Sequence, residues 1–205
     1  MTKGQLLCNY IEDNTNLLED KKEFSRKVYN HMGATIVDSV LQAGLNYNSV
    51  VYPRIKRLVT YYPCYSTTID FLILINTIPL REIILFRNPN KLWRIFCMAW
   101  LFNNNGVQTE IDAALWLHNK KNEQKLLSLK GIGNKTVDYL KGLVGISDAI
   151  AIDRHLLGFL NLAGIEFCDY KEAQNVYMEA ATILDVAPYW LDKIIWNYMV
   201  AKKNI

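Results

Sequence analysis

A short run with two glycines, from Leu129 to Thr136, constrains the fold of this chain more than any other feature. Gly131 and Gly133 flank a single apolar residue, and apolar residues recur at helical spacing on both sides of the run. Glycine allows the backbone to turn sharply and lets another molecule approach closely. The pattern predicts two helices joined by a tight hairpin, over about residues 122–145.

The start of the second helix in this hairpin is suited to bind an anion such as a phosphate. The first N–H groups of a helix have no partner within it, and they carry the positive end of its dipole. Lys135 falls in this first turn, where the dipole disfavours a cation. The position favours the neutral amine and therefore indicates a nucleophile. Taken alone, Lys135 is more simply interpreted as a solvated lysine near a phosphate.

Asp153 is the second candidate for chemistry. It follows an apolar run and precedes Arg154 and His155. By itself, Asp153 is interpreted as the N-cap of a helix that begins at Arg154. A lone histidine is more often structural than catalytic, so His155 is expected to be structural.

Together, these residues resemble the motif of the helix-hairpin-helix DNA glycosylases. In that family the hairpin reads roughly Leu-Pro-Gly-hydrophobic-Gly-x-Lys-Thr-Ala, and an apolar helix then leads to an Ile-Ala-Val-Asp segment followed closely by His. This chain has Leu-Lys-Gly-Ile-Gly-Asn-Lys-Thr-Val from Leu129 and Ile-Ala-Ile-Asp-Arg-His from Ile150. The spacing from Lys135 to Asp153 also matches. The close match covers about residues 125–160.

Two positions depart from the family motif. Lys130 replaces the proline, and Val137 replaces the usual small residue. Neither side chain takes part in the chemistry that the resemblance implies.

The resemblance implies an all-α fold with two helical lobes and the active site in the cleft between them. A central lobe of residues 31–147 would end in the hairpin, and residues 1–30 with 148–205 would form the second lobe. Lys135 would attack C1′ of a flipped nucleotide, and the resulting Schiff base would permit β-elimination. Asp153 would stabilise the positive charge that develops on the sugar. The expected function is a bifunctional DNA N-glycosylase and AP lyase that acts on double-stranded DNA with a damaged or modified base.

Two segments are expected to contact DNA. The resemblance places the hairpin on phosphates, and it places a polar loop after residue 41 in the gap left by the extruded base. A polar loop beside a solvated basic face is an equally good interpretation of this second segment. The residues expected to contact DNA are Gly131, Gly133, Asn134, Thr136, Gln42, Asn46, Tyr47, Arg54 and Arg154.

The resemblance also implies a base pocket and a cation site. In relatives that remove oxidised guanine the last helices help to line the pocket, which makes Trp190 and Trp196 candidates. They do not share one helix face, so at most one is expected there, and core packing is the default for both. Backbone carbonyls of Leu127, Leu129 and Ile132 would hold a structural monovalent cation, which is not counted as a cofactor.

Composition sets the remaining limits. The 23 basic and 20 acidic residues give a net charge of +3, which permits nucleic acid without requiring it. The 4 cysteines lack the spacing of zinc or iron–sulfur ligands, so no such cofactor is expected. No apolar run fits a membrane span, and no secretion signal is visible. We therefore expect a monomer that does not bind membranes, in the cytoplasm near the nucleoid if the source is bacterial or archaeal.

Two alternatives stay open. The same fold could remove hypermodified phage bases in antiviral defence, with or without the lyase step. The hairpin could instead be a non-catalytic DNA-binding module, in which case Lys135 matters only through its charge. The motif does not identify the base.

Helical periodicity extends along the chain. It predicts one helix from Phe24 through Leu41, a loop over residues 42–48 and an apolar helix from Trp93 to Phe102. Pro188 is expected to open the last helix.

Overall fold

A computed structural model describes residues 1–14, 16–18 and 28–203 of the chain. This part of the chain is helical and contains no β-strand, which confirms the all-α prediction. The α-helices are α1 (Lys3–Asn14), α2 (Met32–Leu41), α3 (Tyr52–Tyr61), α4 (Thr68–Thr77), α5 (Leu80–Ile83), α6 (Pro89–Asn104), α7 (Glu110–Leu117), α8 (Lys120–Leu127), α9 (Asn134–Leu143), α10 (Arg154–Leu162), α11 (Tyr170–Ile183) and α12 (Pro188–Lys203), with a π-helical turn at Tyr47–Val51 before α3.

The chain divides into two compact units. Met1–Ser25 and Ser147–Ile205 form one, here called the terminal unit, and Arg26–Ile146 forms the other, the central unit. The sequence-based division lies after residue 30 and after residue 147. Lys135 belongs to the central unit and Asp153 to the terminal unit.

Helix α2 is the centre of the central unit. Every one of its residues is buried, as expected for a helix that is apolar on nearly all sides. It packs against α3, α4, α6 and α9. Its buried polar groups are bonded: the Thr35 hydroxyl, for example, donates to Glu110 Oε1 at 2.8 Å. Because α9 packs against α2, the second helix of the hairpin lies directly against the core of the central unit.

The terminal unit is held by α1 on α11 and by α10 and α11 on α12. Its core contains Leu7, Ile11, Phe159 and Tyr177, all fully buried. The Tyr177 hydroxyl donates to the carbonyl of Leu156 at 2.7 Å, so the buried phenol is satisfied. This bond ties α11 to the first turn of α10.

The helix predicted from Phe24 is wrong in its described part. Residues 28–31 are not helical, and α2 begins at Met32; Phe24 itself lies outside the described residues. Asn30 has φ +52, and His31 is extended and caps α2 by accepting from the Ala34 N–H at 3.2 Å. A residue in the left-handed region followed by an N-cap stops a helix from continuing backwards, although the apolar spacing continues.

Two other predicted boundaries also differ. Helix α6 begins at Pro89, earlier than predicted, because Asn88 caps it by accepting from the Lys91 N–H at 3.1 Å. The predicted loop at residues 42–48 contains the start of the π-helical turn. Pro188 opens α12 as predicted. None of the helices in the described ranges combines the length and apolar character needed to cross a membrane.

Candidate functional site

The predicted hairpin is present between α8 and α9. The Ile132 N–H donates to the Leu129 carbonyl at 3.0 Å, and the Ile132 side chain is buried in the core of the central unit. Gly131 has φ +85, a conformation that side chains with a Cβ rarely adopt. A Cβ at Gly131 would also overlap the guanidinium of Arg94 on α6. The turn therefore requires glycine at this position.

Gly133 is a glycine for a different reason. It is the N-cap of α9 with φ −118, a value open to any residue, and no atom lies within 4 Å of the place that a Cβ would occupy. It is exposed and provides no side-chain cap, although Ser, Asp or Asn would cap the helix better. The fold does not require glycine here. Its absence of a side chain leaves the N-terminus of α9 open to another molecule.

The first turn of α9 presents three different environments. Asn134 is exposed, Lys135 is half-buried, and Thr136 is buried with its N–H donating to the Gly133 carbonyl at 2.9 Å. Asn134 is thus the exposed side chain of this turn. The side chain of Thr136 is directed towards the core, which leaves little of it for an outside ligand.

Two cations of α6 lie close to the hairpin. Lys91 is in the first turn of α6, and its Nζ donates to the carbonyls of Val40 and Ala43 at 2.8 Å each, at the C-terminal end of α2. Burial, and then the charges of Arg94 and Lys135, lower the pKa of Lys91 to about 8. Lys91 and Lys135 therefore lie within range of mutual repulsion, and Arg94 contacts the turn before Lys135.

A buried carboxylate of α2 supports α9. Asp38 of α2 is fully buried and accepts hydrogen bonds from the hydroxyls of Tyr29 at 2.8 Å and Tyr139 at 3.3 Å. Tyr139 follows Lys135 by one helical turn on the same face of α9. Burial, and then the charge of Asp38, raise the pKa of Tyr29 well above its ordinary value, so this phenol stays a donor.

In the terminal unit, Asp153 is the N-cap of α10, as the sequence predicts. Its Oδ1 accepts from the N–H groups of His155 at 2.8 Å and Leu156 at 3.2 Å. The residue is half-buried.

The extended segment before Asp153 is held by side chains far away in the sequence. Gln174 Nε2 donates to the Ile150 carbonyl at 3.0 Å, and the Tyr170 hydroxyl accepts from the Ile152 N–H at 3.3 Å. Both side chains come from α11. No local pattern marks them, because their partners depend on how α11 packs against this segment.

The two tryptophans differ in environment. Trp190 is 8% exposed and belongs to the core of the terminal unit. Trp196 is half-buried, lies edge-on to His155 with ring centroids 5.8 Å apart, and has the Lys193 ammonium 5.0 Å from its centroid. His155 is buried against Trp196, and its structural role stays a prediction. Arg154 is exposed in the first turn of α10.

The loop after α2 combines predicted and unpredicted features. Gln42 is the C-cap of α2, and its buried Oε1 accepts no hydrogen bond from the described residues. Asn46 caps the π-helical turn by accepting from the N–H and hydroxyl of Ser49 at 3.0 and 2.9 Å. Tyr47 is half-buried with its hydroxyl 3.3 Å from that of Tyr29. The side-chain oxygen of Asn46 and the hydroxyl of Tyr47 thus have partners within the central unit, whereas the Gln42 oxygen has none among the described residues.

Arg54 has partners within the central unit. Its guanidinium donates to the carbonyls of Val50 and Leu85 and lies over the Phe86 ring, 5.2 Å from the centroid. The side chain therefore holds α3 to the segment after α5. The expected DNA contact of Arg54 stays a prediction, and these internal partners restrict where its guanidinium can lie.

Leu85, whose carbonyl accepts a hydrogen bond from Arg54, is not marked as a functional residue by any pattern in the sequence. It is 61% exposed and has φ +51, a strained conformation for a bulky residue without glycine's freedom. Strained residues of this kind persist only where neighbouring groups hold them. Some DNA-binding proteins insert exposed apolar side chains between bases.

The carbonyls expected to hold a monovalent cation belong to the hairpin between α8 and α9. The Leu129 carbonyl accepts from Ile132 and retains a second lone pair, while Leu127 ends α8. Elsewhere in the described ranges, no group of three or more His, Cys, Asp or Glu side chains is arranged to hold a metal ion.

A scan against protein-family models gives no match for this chain, and a comparison with solved structures finds no significant similarity.

Proposed function

We propose that this protein is a DNA glycosylase that removes a damaged or modified base and then cleaves the strand by a Schiff-base AP lyase step. Lys135 Nζ would form a bond to C1′ as the C1′–N bond breaks, and the base would leave with the bonding electrons and take up a proton. The bound nitrogen would lose a proton, and its lone pair would expel O4′ from C1′, so that the sugar ring opens and O4′ takes up a proton. The resulting iminium would allow loss of a C2′ proton and elimination of the 3′ phosphate. Asp153 would stabilise the positive charge on the sugar.

The observation that carries this proposal is the pairing of Gly133 with Lys135. A cap position that tolerates any residue is occupied by glycine, with open space around it and no side-chain cap. Two residues later, in the first turn of α9, lies a half-buried lysine. The lack of a side-chain cap is explained if the backbone N–H groups of this turn must contact a phosphate. Such a contact would bring the nucleotide to the lysine.

Asp153 supports the same proposal because hydrogen bonds hold both its side chain and the backbone before it. Its Oδ1 accepts two backbone N–H groups, which fixes the carboxylate in one orientation. The anchored segment before it restricts its backbone further. A rigid carboxylate is the type of group that stabilises a developing cation at little cost of reorganisation.

The test is a panel of duplexes, each with one lesion or modified base, incubated with the protein in the presence of borohydride. We expect a covalent protein–DNA adduct with at least one substrate and a broken strand when borohydride is omitted. Lys135→Gln should form no adduct. Lys130→Gln, which removes an exposed lysine of the same hairpin, is the matched control and should behave like the wild type.

Three outcomes separate the alternatives. Activity on hypermodified bases and none on oxidised bases would assign the protein to defence. Base removal that leaves an intact abasic strand and no adduct would refute the lyase step alone. DNA binding that Lys135→Gln and Lys130→Gln weaken equally, with no base removed anywhere, would leave only a DNA-binding module.

A further inference from the structure

We propose that one face of α6 is a binding surface for single-stranded DNA, on which the rings of Trp93 and Trp100 stack on unpaired bases while neighbouring cations contact the phosphates. This surface, here called the tryptophan face, lies in the central unit. The inference goes beyond the proposed function, because it requires neither Lys135 nor any chemical step.

The two tryptophans are exposed on the same side of α6. Trp93 is 60% exposed and Trp100 is 54% exposed, and their separation of seven residues places them two helical turns apart on one face. The opposite face is formed by Ile95, Met98 and Phe102, which are fully buried. Tryptophan is highly buried on average, so packing of the core does not account for two exposed ones on one helix.

A third aromatic side chain orients the first of these rings. The Phe96 ring is stacked on that of Trp93, with 5.5 Å between the centroids and 25° between the planes. The contact holds the Trp93 ring while most of the residue still faces solvent. A ring that is both rigid and exposed can stack on a nucleobase at a low cost in conformational entropy.

Cations line one edge of the tryptophan face. The Arg94 guanidinium lies against Gly131 of the hairpin, and Lys125 Nζ of α8 donates to Asn105 Oδ1 at 2.8 Å, at the C-cap of α6. Arg94 and Asn105 are eleven residues apart, close to three helical turns, so both contacts lie along one flank of α6. Two positive charges therefore lie beside the rings, on the flank that faces the hairpin and α8.

The charge of this region suits a polyanion. Helix α6 itself contains two cations and no acidic residue. From Arg87 to Lys130 the chain has seven basic and three acidic residues. Of the acidic ones, Glu110 is buried and Asp112 caps its own helix. Glu123 pairs with Lys141 at 2.8 Å, so positive charge stays in excess at the surface.

Exposed rings favour unpaired nucleotides over a duplex or a protein. Neighbours in the stack cover both faces of a paired base, whereas a base in a single strand can stack on an aromatic side chain. Protein interfaces are depleted of lysine, which is well suited to phosphates. Arg94 also joins the tryptophan face to the hairpin, the segment expected to contact DNA, which favours DNA as the ligand.

The experiment measures binding of a fluorescein-labelled, single-stranded oligothymidylate of about 20 nucleotides by fluorescence anisotropy. Trp93→Leu and Trp100→Leu remove the rings and keep apolar side chains. Each variant should bind about 5- to 150-fold more weakly than the wild type, the range for one lost stack between a base and an aromatic ring. Leu115→Ala is the matched control, because Leu115 on α7 is an apolar residue that is 68% exposed. It should bind like the wild type.

Lys125→Gln tests the phosphate contact. It should weaken binding at low salt and reduce the slope of log affinity against log salt by about 0.7, the value for one phosphate of a single strand. Tryptophan fluorescence of the wild type should be quenched by unlabelled oligothymidylate. The double variant Trp93→Leu with Trp100→Leu should lose most of this quenching.

Three outcomes would overturn the inference. The first is tryptophan variants that are folded by circular dichroism and bind the oligothymidylate as tightly as the wild type. The second is self-association in sedimentation that Trp93→Leu abolishes without any change in oligothymidylate affinity, which would make this face a protein interface. The third is tighter binding of an oligouridylate of the same length, which would make the ligand RNA.

Borohydride trapping separates this inference from the proposed function. Trp93→Leu should lose single-strand affinity and still form the adduct with a lesion duplex, because Lys135 and Asp153 are unchanged. Oligothymidylate binding that depends on the tryptophans, in protein that forms no adduct with any duplex, would support the tryptophan face and refute the lyase. An adduct in protein whose tryptophan variants bind the oligothymidylate normally would refute the tryptophan face and leave the glycosylase.

Discussion

Replacing Asp153 separates its two roles, because an amide can keep the cap but not the charge. The Oδ1 of Asp153 accepts from two N–H groups, and an asparagine oxygen can accept the same two bonds. Asn and Asp are about equally good N-caps, so Asp153→Asn should cost no more than about 0.5 kcal/mol of stability. Losing a group that stabilises transition-state charge costs about 2.7–4 kcal/mol of barrier, or 10²–10³ in rate. The loss of activity should therefore far exceed the loss of stability.

Asp153→Ala should show both losses. It removes the cap as well as the charge, at a cost of about 1 kcal/mol, which lowers the melting temperature by about 2–4 °C for a chain of this size. Asp169 provides the matched control, because it caps α11 in the same unit by accepting from the Glu172 N–H at 2.8 Å. Asp169→Ala should lose the same stability and keep full activity.

The assay is single-turnover base excision on a substrate that the wild type processes, with thermal unfolding measured in parallel. Asp153→Asn should bind DNA like the wild type and excise at least 100-fold more slowly, by about the factor for a lost charge-stabilising group. If Asp153→Asn instead excises within about threefold of the wild type while Asp153→Ala and Asp169→Ala lose stability alike, Asp153 is only a helix cap.

Three further predictions follow from the central unit. Lys135→Gln should abolish adduct formation and strand cleavage while keeping most of the DNA affinity, since one charge of several is lost; unchanged cleavage in a gel assay would refute the nucleophile. Gly133→Ser should raise or leave unchanged the melting temperature, because serine caps a helix well, yet weaken binding to all duplexes alike, and titrations that show unchanged affinity would mean that the hairpin does not face DNA. Leu85→Gly should relieve backbone strain and not lower stability, while slowing base removal; equal excision rates would exclude an inserted role for this leucine.

Local patterns in the sequence were sufficient for the helix ends that short-range hydrogen bonds decide. Asp153 caps α10, as its place before an apolar helix predicts. The positive φ of Gly131 follows equally from the hairpin pattern. In each case, both partners of the decisive interaction lie within four residues of each other, so the pattern contains all the information.

The same reasoning fails where one residue must stop a helix against the apolar pattern. Helical spacing extended the predicted second helix backwards from α2, but Asn30 and His31 end it there. Apolar periodicity indicates which side chains are buried. It does not indicate the backbone angles of the residues at a helix end.

Tertiary structure alone decided what surrounds the candidate catalytic lysine and which cations stay available. Arg54 belongs to a basic stretch of the sequence, yet its guanidinium is directed at the Leu85 carbonyl. Lys91 has no motif, yet packing of α6 against α2 places its ammonium on two carbonyls and within repulsive range of Lys135. The sequence by itself identifies the turn and the amine, because those depend on neighbouring residues. The guanidinium of Arg94 reaches this turn from a helix tens of residues away, and only packing of the core brings it there.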